Sequence, residues 1–200
     1  MRAGAVTIVH EDWSKDSEEL LQTDPRKLNA ALLQHLHRHG VRDVDGWLFA
    51  SIHGDFDPIT KRFQLHYHIV AAGGMLNVLR RLAAGPMFRS TRPEGRKSGT
   101  VYQKVHFSRR PLRNVPYTLS YRLQSYWSKT VTVNLGDEEN PRMVRRSRQG
   151  RIPEPYHSLS LLWLDRWRLQ DLTLLVKLGV TTKGLVRSKR ANPRNRIEGR

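Results

Sequence analysis

Within Trp47-Leu48-Phe49-Ala50-Ser51-Ile52-His53-Gly54-Asp55 and Phe63-Gln64-Leu65-His66-Tyr67-His68-Ile69-Val70, the stretches over 50–55 and 63–69 alternate apolar or small with polar side chains at a period of two. That period belongs to strands buried on one face only. Between them, Phe56-Asp57-Pro58-Ile59-Thr60-Lys61-Arg62 contains the turn formers Asp and Pro and reads as the loop of a β-hairpin. Leu48, Ala50 and Ile52 share a face with Leu65, Tyr67 and Ile69, a surface suited to covering a layer of helices. Ser51, His53 and Asp55 share the other face with Gln64, His66 and His68, so the side left for a partner is polar and rich in metal-ligating groups.

Upstream of the hairpin, Val6-Thr7-Ile8-Val9 is a β-branched run that predicts another strand. Asp24-Pro25 offers an N-cap followed by proline in the first helical turn, and Leu28, Ala31, Leu32, His35 and Leu36 keep helical spacing up to the stop at Gly40. The histidines of this helix, His35, His37 and His39, point to successive sides and are expected in solvent. Downstream, Gly73-Gly74 breaks the chain, and Leu76, Leu79, Arg80 and Ala83 predict a helix that Gly85-Pro86 ends. A basic loop over 89–99 leads to a strand from Val101 to Phe107, and Pro111 to Trp127 contains a helix with Pro116 in its first turn. The order β-α-β-β-α-β-α predicts an α+β fold, a ferredoxin-like or RRM-like antiparallel sheet (βαββαβα) with helices on one face.

Thr130 to Leu135 is strand-like and closes a first unit over 1–135. A basic linker with Pro153 and Pro155 is expected over 136–157. Dense apolar positions from Ser158 to Leu178 predict a C-terminal helical extension over 158–186, and 187–200, basic and without a core-forming pattern, reads as a disordered tail.

The 200 residues carry 35 Lys and Arg against 18 Asp and Glu, a net charge of +17. Residues 1–75 hold 8 basic and 10 acidic side chains, so the whole excess lies in 76–200. Arginine supplies 26 of the cations, and its planar fork matches phosphate, which makes nucleic acid the expected partner. The absence of cysteine excludes disulfides, thiolate nucleophiles and cysteine-bound zinc. No apolar run approaches the roughly 18 residues a spanning helix needs, so no membrane partner is expected. Glu11-Asp12 interrupts the amino-terminal segment before a signal-peptide apolar core develops, which predicts a cytoplasmic location.

Two constellations carry chemistry. His66 and His68 lie on one face of a strand and can share a metal ion, and a register with His53 opposite His66 would bring His53 and Asp55 alongside. Mixed nitrogen and oxygen ligands with open water positions suit octahedral Mg²⁺ or Mn²⁺. Tyr117 and Tyr121 stand one turn apart on a helix, so both phenols can reach one point, and a phenol becomes a nucleophile where a cation or base stabilises its anion.

His66-Tyr67-His68 followed by Tyr117-x-x-x-Tyr121 resembles the HUH endonuclease superfamily, in particular two-tyrosine rolling-circle replication initiators. The resemblance covers roughly residues 5 to 130 and makes 1–135 the catalytic domain. It implies metal-dependent, site-specific nicking and strand transfer of single-stranded DNA through a 5′-phosphotyrosine intermediate, initiating replication of a plasmid, phage or mobile element. It implies a divalent metal ion, Mg²⁺ or Mn²⁺, on His66 and His68, with the third ligand open among His53, Asp55 and Gln64. Helix position, rather than the resemblance, makes Tyr121 the expected first nucleophile, a full turn inside the predicted helix where packing fixes its direction, and Tyr117, next to Pro116 in the first turn, the second. A single-stranded origin or hairpin is the implied partner, with a host helicase and polymerase as those such an initiator would meet. Many initiators carry a lysine in the tyrosine motif, whereas Ser120 and Arg122 flank Tyr121 here. Tyr102, Tyr126 and Trp127 are candidates to stack unpaired bases. The competing readings are a non-catalytic nucleic-acid-binding module on an RRM-like sheet, which lacks the RRM aromatic signature here, and a ribosome-associated basic protein, which would leave the aligned histidines idle.

Overall fold

In the computed structural model the described residues are 3–91, 103–109, 112, 114–123, 127–134, 143–182 and 184–188. The hairpin forms as read: β2 (Gly46–Asp57) and β3 (Arg62–Gly73) pair antiparallel from Gly46↔Gly73 to Asp57↔Arg62. Its turn is held by Asp57, whose Oδ1 accepts the Ile59 N–H at 3.0 Å, and by Lys61 in the left-handed region at φ 54. β1 (Ala3–Lys15) runs antiparallel along the other edge of β3, longer than the β-branched run alone suggests, with an irregularity between Val9 and Ser14. β4 (Val105–Phe107) adds to the outer edge of β1.

Two helices follow from their caps. α2 (Pro25–Arg38) starts where Asp24 accepts the Arg26 N–H, and it ends before Gly40, which adopts φ 79. α3 (Met75–Ala84) is bounded by Gly74 and Gly85. Leu32, Leu36, Val78, Leu79 and Leu82 from these helices join Val6, Ile8, Ala50, Ile52, Leu65, Tyr67 and Ile69 in one core. A short helix α1 (Ser17–Gln22) precedes α2, closed by a reciprocal capping box between Asp16 and Glu19. His35 and His37 of α2 and His39 at its C-cap are half-buried rather than solvated: the His35 ring lies edge-on to Phe88 at 5.3 Å, and desolvation lowers the affinity of His35 and His37 for a proton.

The C-terminal half departs from the sequence reading. After α4 (Val115–Arg122), β5 (Ser128–Asn134) pairs parallel to the end of β2 at Asp55 and Phe56, so the sheet is mixed rather than wholly antiparallel. β6 (Met143–Gly150) lies within the expected linker over 136–157 and pairs with β5. The expected helix over 158–178 is confined to α5 (Tyr156–Asp165), and the described residues of the extension beyond it form a turn-rich stretch over 166–172 followed by short strands. Among them β7 (Thr173–Val176) covers the first half of β2, from Leu48 to Ser51, while β8 (Leu178–Thr181) and β9 (Gly184–Arg187) make a separate two-stranded ribbon. Among the described residues the main sheet has seven strands in the order β4-β1-β3-β2-β5-β6, with β7 also on β2.

These additions enter the core rather than hang from it. Trp163 of α5 is fully buried, its indole N–H donates to the Thr23 carbonyl at 2.9 Å, and its ring packs 5.3 Å from that of Trp127. Among the described residues no helix is long and apolar enough to cross a membrane. The fold is α+β, with a mixed sheet and few helices.

Candidate functional site

β3 supplies the histidine pair. Side chains alternate along a strand, so His66 and His68 stand on one side of the sheet and Tyr67 on the other. Tyr67 is 1% exposed, and its hydroxyl donates to Asn29 Oδ1 at 3.0 Å within the core. Burial holds its phenol well above the ordinary tyrosine range. The middle residue of the motif therefore belongs to packing, and its two neighbours face the site.

The imidazoles meet at Nε2, 3.3 Å apart, with their planes at 87°. Both Nδ1 atoms are engaged: that of His66 lies 3.2 Å from the Gln64 carbonyl oxygen, and that of His68 lies 3.2 Å from Thr7 Oγ1. A carbonyl can only accept, so neutral His66 holds its proton on Nδ1 and presents a lone pair at Nε2. Two ligands about 2.1 Å from one ion, at right angles, stand about 3 Å apart, so the Nε2 pair fits a single cation.

The register brings the expected third arm close. His53 is directly across from His66 and Asp55 across from Gln64. The His53 ring centre is 4.8 Å from that of His68 and 6.1 Å from that of His66. Asp55 Oδ1 accepts the Ser128 hydroxyl at 3.1 Å. The Gln64 amide nitrogen donates to the carbonyls of His10 and Leu65 at 2.8 and 3.1 Å, which leaves Oε1 as its donor atom for an ion. Among the described residues, no three His, Asp or Glu side chains are already gathered into a metal cage. The pair is formed, and His53, Asp55 and Gln64 are the neighbours from which a third ligand could come. Above it opens a cavity of about 260 Å³, lined by Thr7, Asp55, Gln64, His66, His68 and His106.

No family model matches this chain, and neither a curated protein nor a solved structure matches it. The site therefore has to be read from its own geometry.

The tyrosines sit on α4, which packs against β3. Asn114 starts this helix: its Oδ1 accepts the Tyr117 N–H at 3.0 Å and its carbonyl accepts the Thr118 hydroxyl at 2.9 Å. Tyr117 is 68% exposed. Tyr121 falls in the last turn of this eight-residue helix, not in an interior turn, and its side chain lies outside the described residues. Of the expected stacking residues, Trp127 is 3% exposed and packed between Phe63 and Trp163, so it is core rather than platform. Tyr102 and Tyr126 lie outside the described residues.

Two site residues escaped the sequence reading. Thr7 on β1 pairs across from His68, and His106 on β4 pairs across from Thr7. The signal was present as the period-two pattern of β1, which sets Thr7 and Val9 on the face opposite Val6 and Ile8, but their neighbours emerge only from long-range pairing.

Proposed function

We propose that the protein nicks and rejoins single-stranded DNA at a specific site, through a covalent 5′-phosphotyrosine, as an initiator of rolling-circle replication does. What carries the reading is the His66–His68 pair, with its Nε2 atoms 3.3 Å apart and each Nδ1 occupied by a partner of its own. The strand order β4-β1-β3-β2, with α2 and α3 in the two crossovers, supports a ferredoxin-like core to which β5, β6 and β7 are additions. α4, which bears Tyr117 and Tyr121, packs against the strand that bears the histidines.

His66 and His68 would hold Mg²⁺ or Mn²⁺, with the third protein ligand from His53, Asp55 or Gln64. A divalent cation there supplies polarisation of a phosphate oxygen and orientation of the scissile bond. The tyrosine oxygen of Tyr121 or Tyr117 gives up its proton and attacks phosphorus. The P–O3′ bond breaks, the phosphoryl group stays on the tyrosine, and the 3′ oxygen takes a proton to become a free hydroxyl able to prime a polymerase. The second tyrosine, one turn away, permits a further transfer before the first strand is released. The cations of 76–200 hold the DNA backbone, and the work is done in the cytoplasm, where a host helicase and polymerase would follow.

The deciding test is incubation with a pool of single-stranded oligonucleotides and Mn²⁺, followed by denaturation. An adduct that survives denaturation is expected from the wild type. It should be lost in His66→Ala, in His68→Ala and in the Tyr117→Phe/Tyr121→Phe double variant, each with DNA affinity largely retained because phosphate contacts supply most of it. Mass spectrometry of the single tyrosine variants assigns the first nucleophile, expected to be Tyr121. Tight DNA binding with no adduct under any metal would turn the protein into a binding module on the same sheet.

A further inference from the structure

We infer that Thr7 is a positioning residue that aims His68 at the shared cation and switches hydrogen-bond role as the ion binds. This inference rests on the proposed metal reading of the His66–His68 pair. The proton positions along the row follow from one fixed end. His66 donates from Nδ1 to the Gln64 carbonyl, 3.2 Å away, so its Nε2 can only accept. With no cation on the pair, a hydrogen bond across the 3.3 Å contact requires His68 Nε2 to carry the proton. Neutral His68 is thereby an acceptor at Nδ1, and Thr7 Oγ1 at 3.2 Å is the donor.

A ligating Nε2 cannot carry a proton. With a cation on the pair, neutral His68 must hold its proton on Nδ1, and the group facing Nδ1 must accept where it formerly donated. A hydroxyl does both, whereas a backbone carbonyl only accepts and an amide N–H only donates. His66 needs no such change, because its Nδ1 proton is fixed on a carbonyl in both states. The two histidines thus have different partners for a physical reason: one ring is locked in the ligating tautomer, and the other is steadied by a group that tolerates either. The position also fits a steady hold. Thr7 is half-buried on β1, paired in register with His68 on one side and with His106 on the other, and its β-branched side chain is restricted at χ1.

The experiment compares Thr7→Val, which keeps the branched shape and removes the hydroxyl, with Thr7→Ser, which restores it. Calorimetric titration with Mn²⁺ is run beside ¹⁵N NMR of the histidine rings in the metal-free proteins, with thermal unfolding as the control for folding. Loss of a partner behind a metal ligand typically weakens metal affinity about 10- to 100-fold. That loss is expected for Thr7→Val, with Thr7→Ser within a few-fold of wild type. The His68 Nδ1 resonance should move in the Val variant and hold in the Ser variant. A folded Thr7→Val protein with wild-type Mn²⁺ affinity, or with an unmoved His68 Nδ1 resonance, overturns the role of Thr7. Wild type that takes up no Mn²⁺ overturns the metal reading instead, and the metal-free resonance then judges whether Thr7 holds His68 at all.

Discussion

Tyr67 and the histidines on either side of it divide one strand between two tasks. The hydroxyl of Tyr67 donates to Asn29 Oδ1, and Asn29 in turn donates to the carbonyls of Asp171 and Thr173 at 2.8 and 3.2 Å, tying β3 through α2 to β7. Tyr67→Phe leaves a buried amide oxygen without its donor, a loss of about 1–3 kcal/mol. The expected outcome is a lower unfolding midpoint with Mn²⁺ affinity and adduct yield unchanged, measured by denaturant titration beside the two functional assays. A Phe variant that folds as stably but forms no adduct would move Tyr67 from packing into the chemistry. The same alternation explains what could be read of the site. His66 and His68 share a face by strand period alone, and the hairpin turn places His53 opposite His66. Thr7 could not be read because it reaches His68 across 61 residues of chain, through a pairing that no local pattern specifies.

At the scale of elements, the legible parts were those with their own punctuation. α2 has a side-chain cap and a glycine stop, α3 stands between Gly74 and Gly85, and the stretches over 50–55 in β2 and 63–69 in β3 alternate. α1 was also written in the chain, as the Asp16 and Glu19 of a capping box, but only six residues follow the cap, too few for helical periodicity to show. The C-terminal segment misled for the opposite reason. Thr173-Leu174-Leu175-Val176 is a short apolar run buried on β2, and such a run cannot be told from a helix by period alone. β6, basic along its length, has no apolar face to announce a strand. The joining of these late elements to the hairpin depends on Gly54. A Cβ at this position of β2 would come within 2.6–2.9 Å of the Trp127 indole, which stands just before β5. Neither the sheet backbone nor a buried indole can yield cheaply, so Gly54→Ala is expected to cost about 1–3 kcal/mol by overpacking. Tryptophan fluorescence during denaturation checks this: a variant as stable as wild type would mean that Trp127 is not seated against β2.

For the whole molecule the governing fact is the separation of charge along the chain. Residues 1–75, which hold the histidine pair, carry 8 basic and 10 acidic side chains, while the rest carries all of the excess that brings the total to +17. A site for a phosphodiester without net positive charge in its own segment must draw the polyanion from elsewhere in the chain. The affinity for single-stranded DNA is then expected to fall steeply with salt, with a log–log slope of about 0.7 per phosphate neutralised. The structure also shows where the chain can be cut to test this. β9 ends at Arg187, and the Ser188 N–H donates to the Lys177 carbonyl at 3.0 Å, so truncation after Ser188 leaves the ribbon closed. Residues 189–200 contain five cations, Lys189, Arg190, Arg194, Arg196 and Arg200, against the single acid Glu198. If those cations meet phosphate, their removal lowers the salt slope by up to about 3 and weakens binding at low salt. Adduct yield at saturating DNA stays the same, because Thr7, His66, His68 and α4 are untouched. Fluorescence anisotropy across a salt series, with the adduct assay on the same samples, reads both quantities. An unchanged slope in the truncated protein would place the phosphate contacts among the cations of 76–188, and a slope near zero in the full chain would remove nucleic acid as the partner.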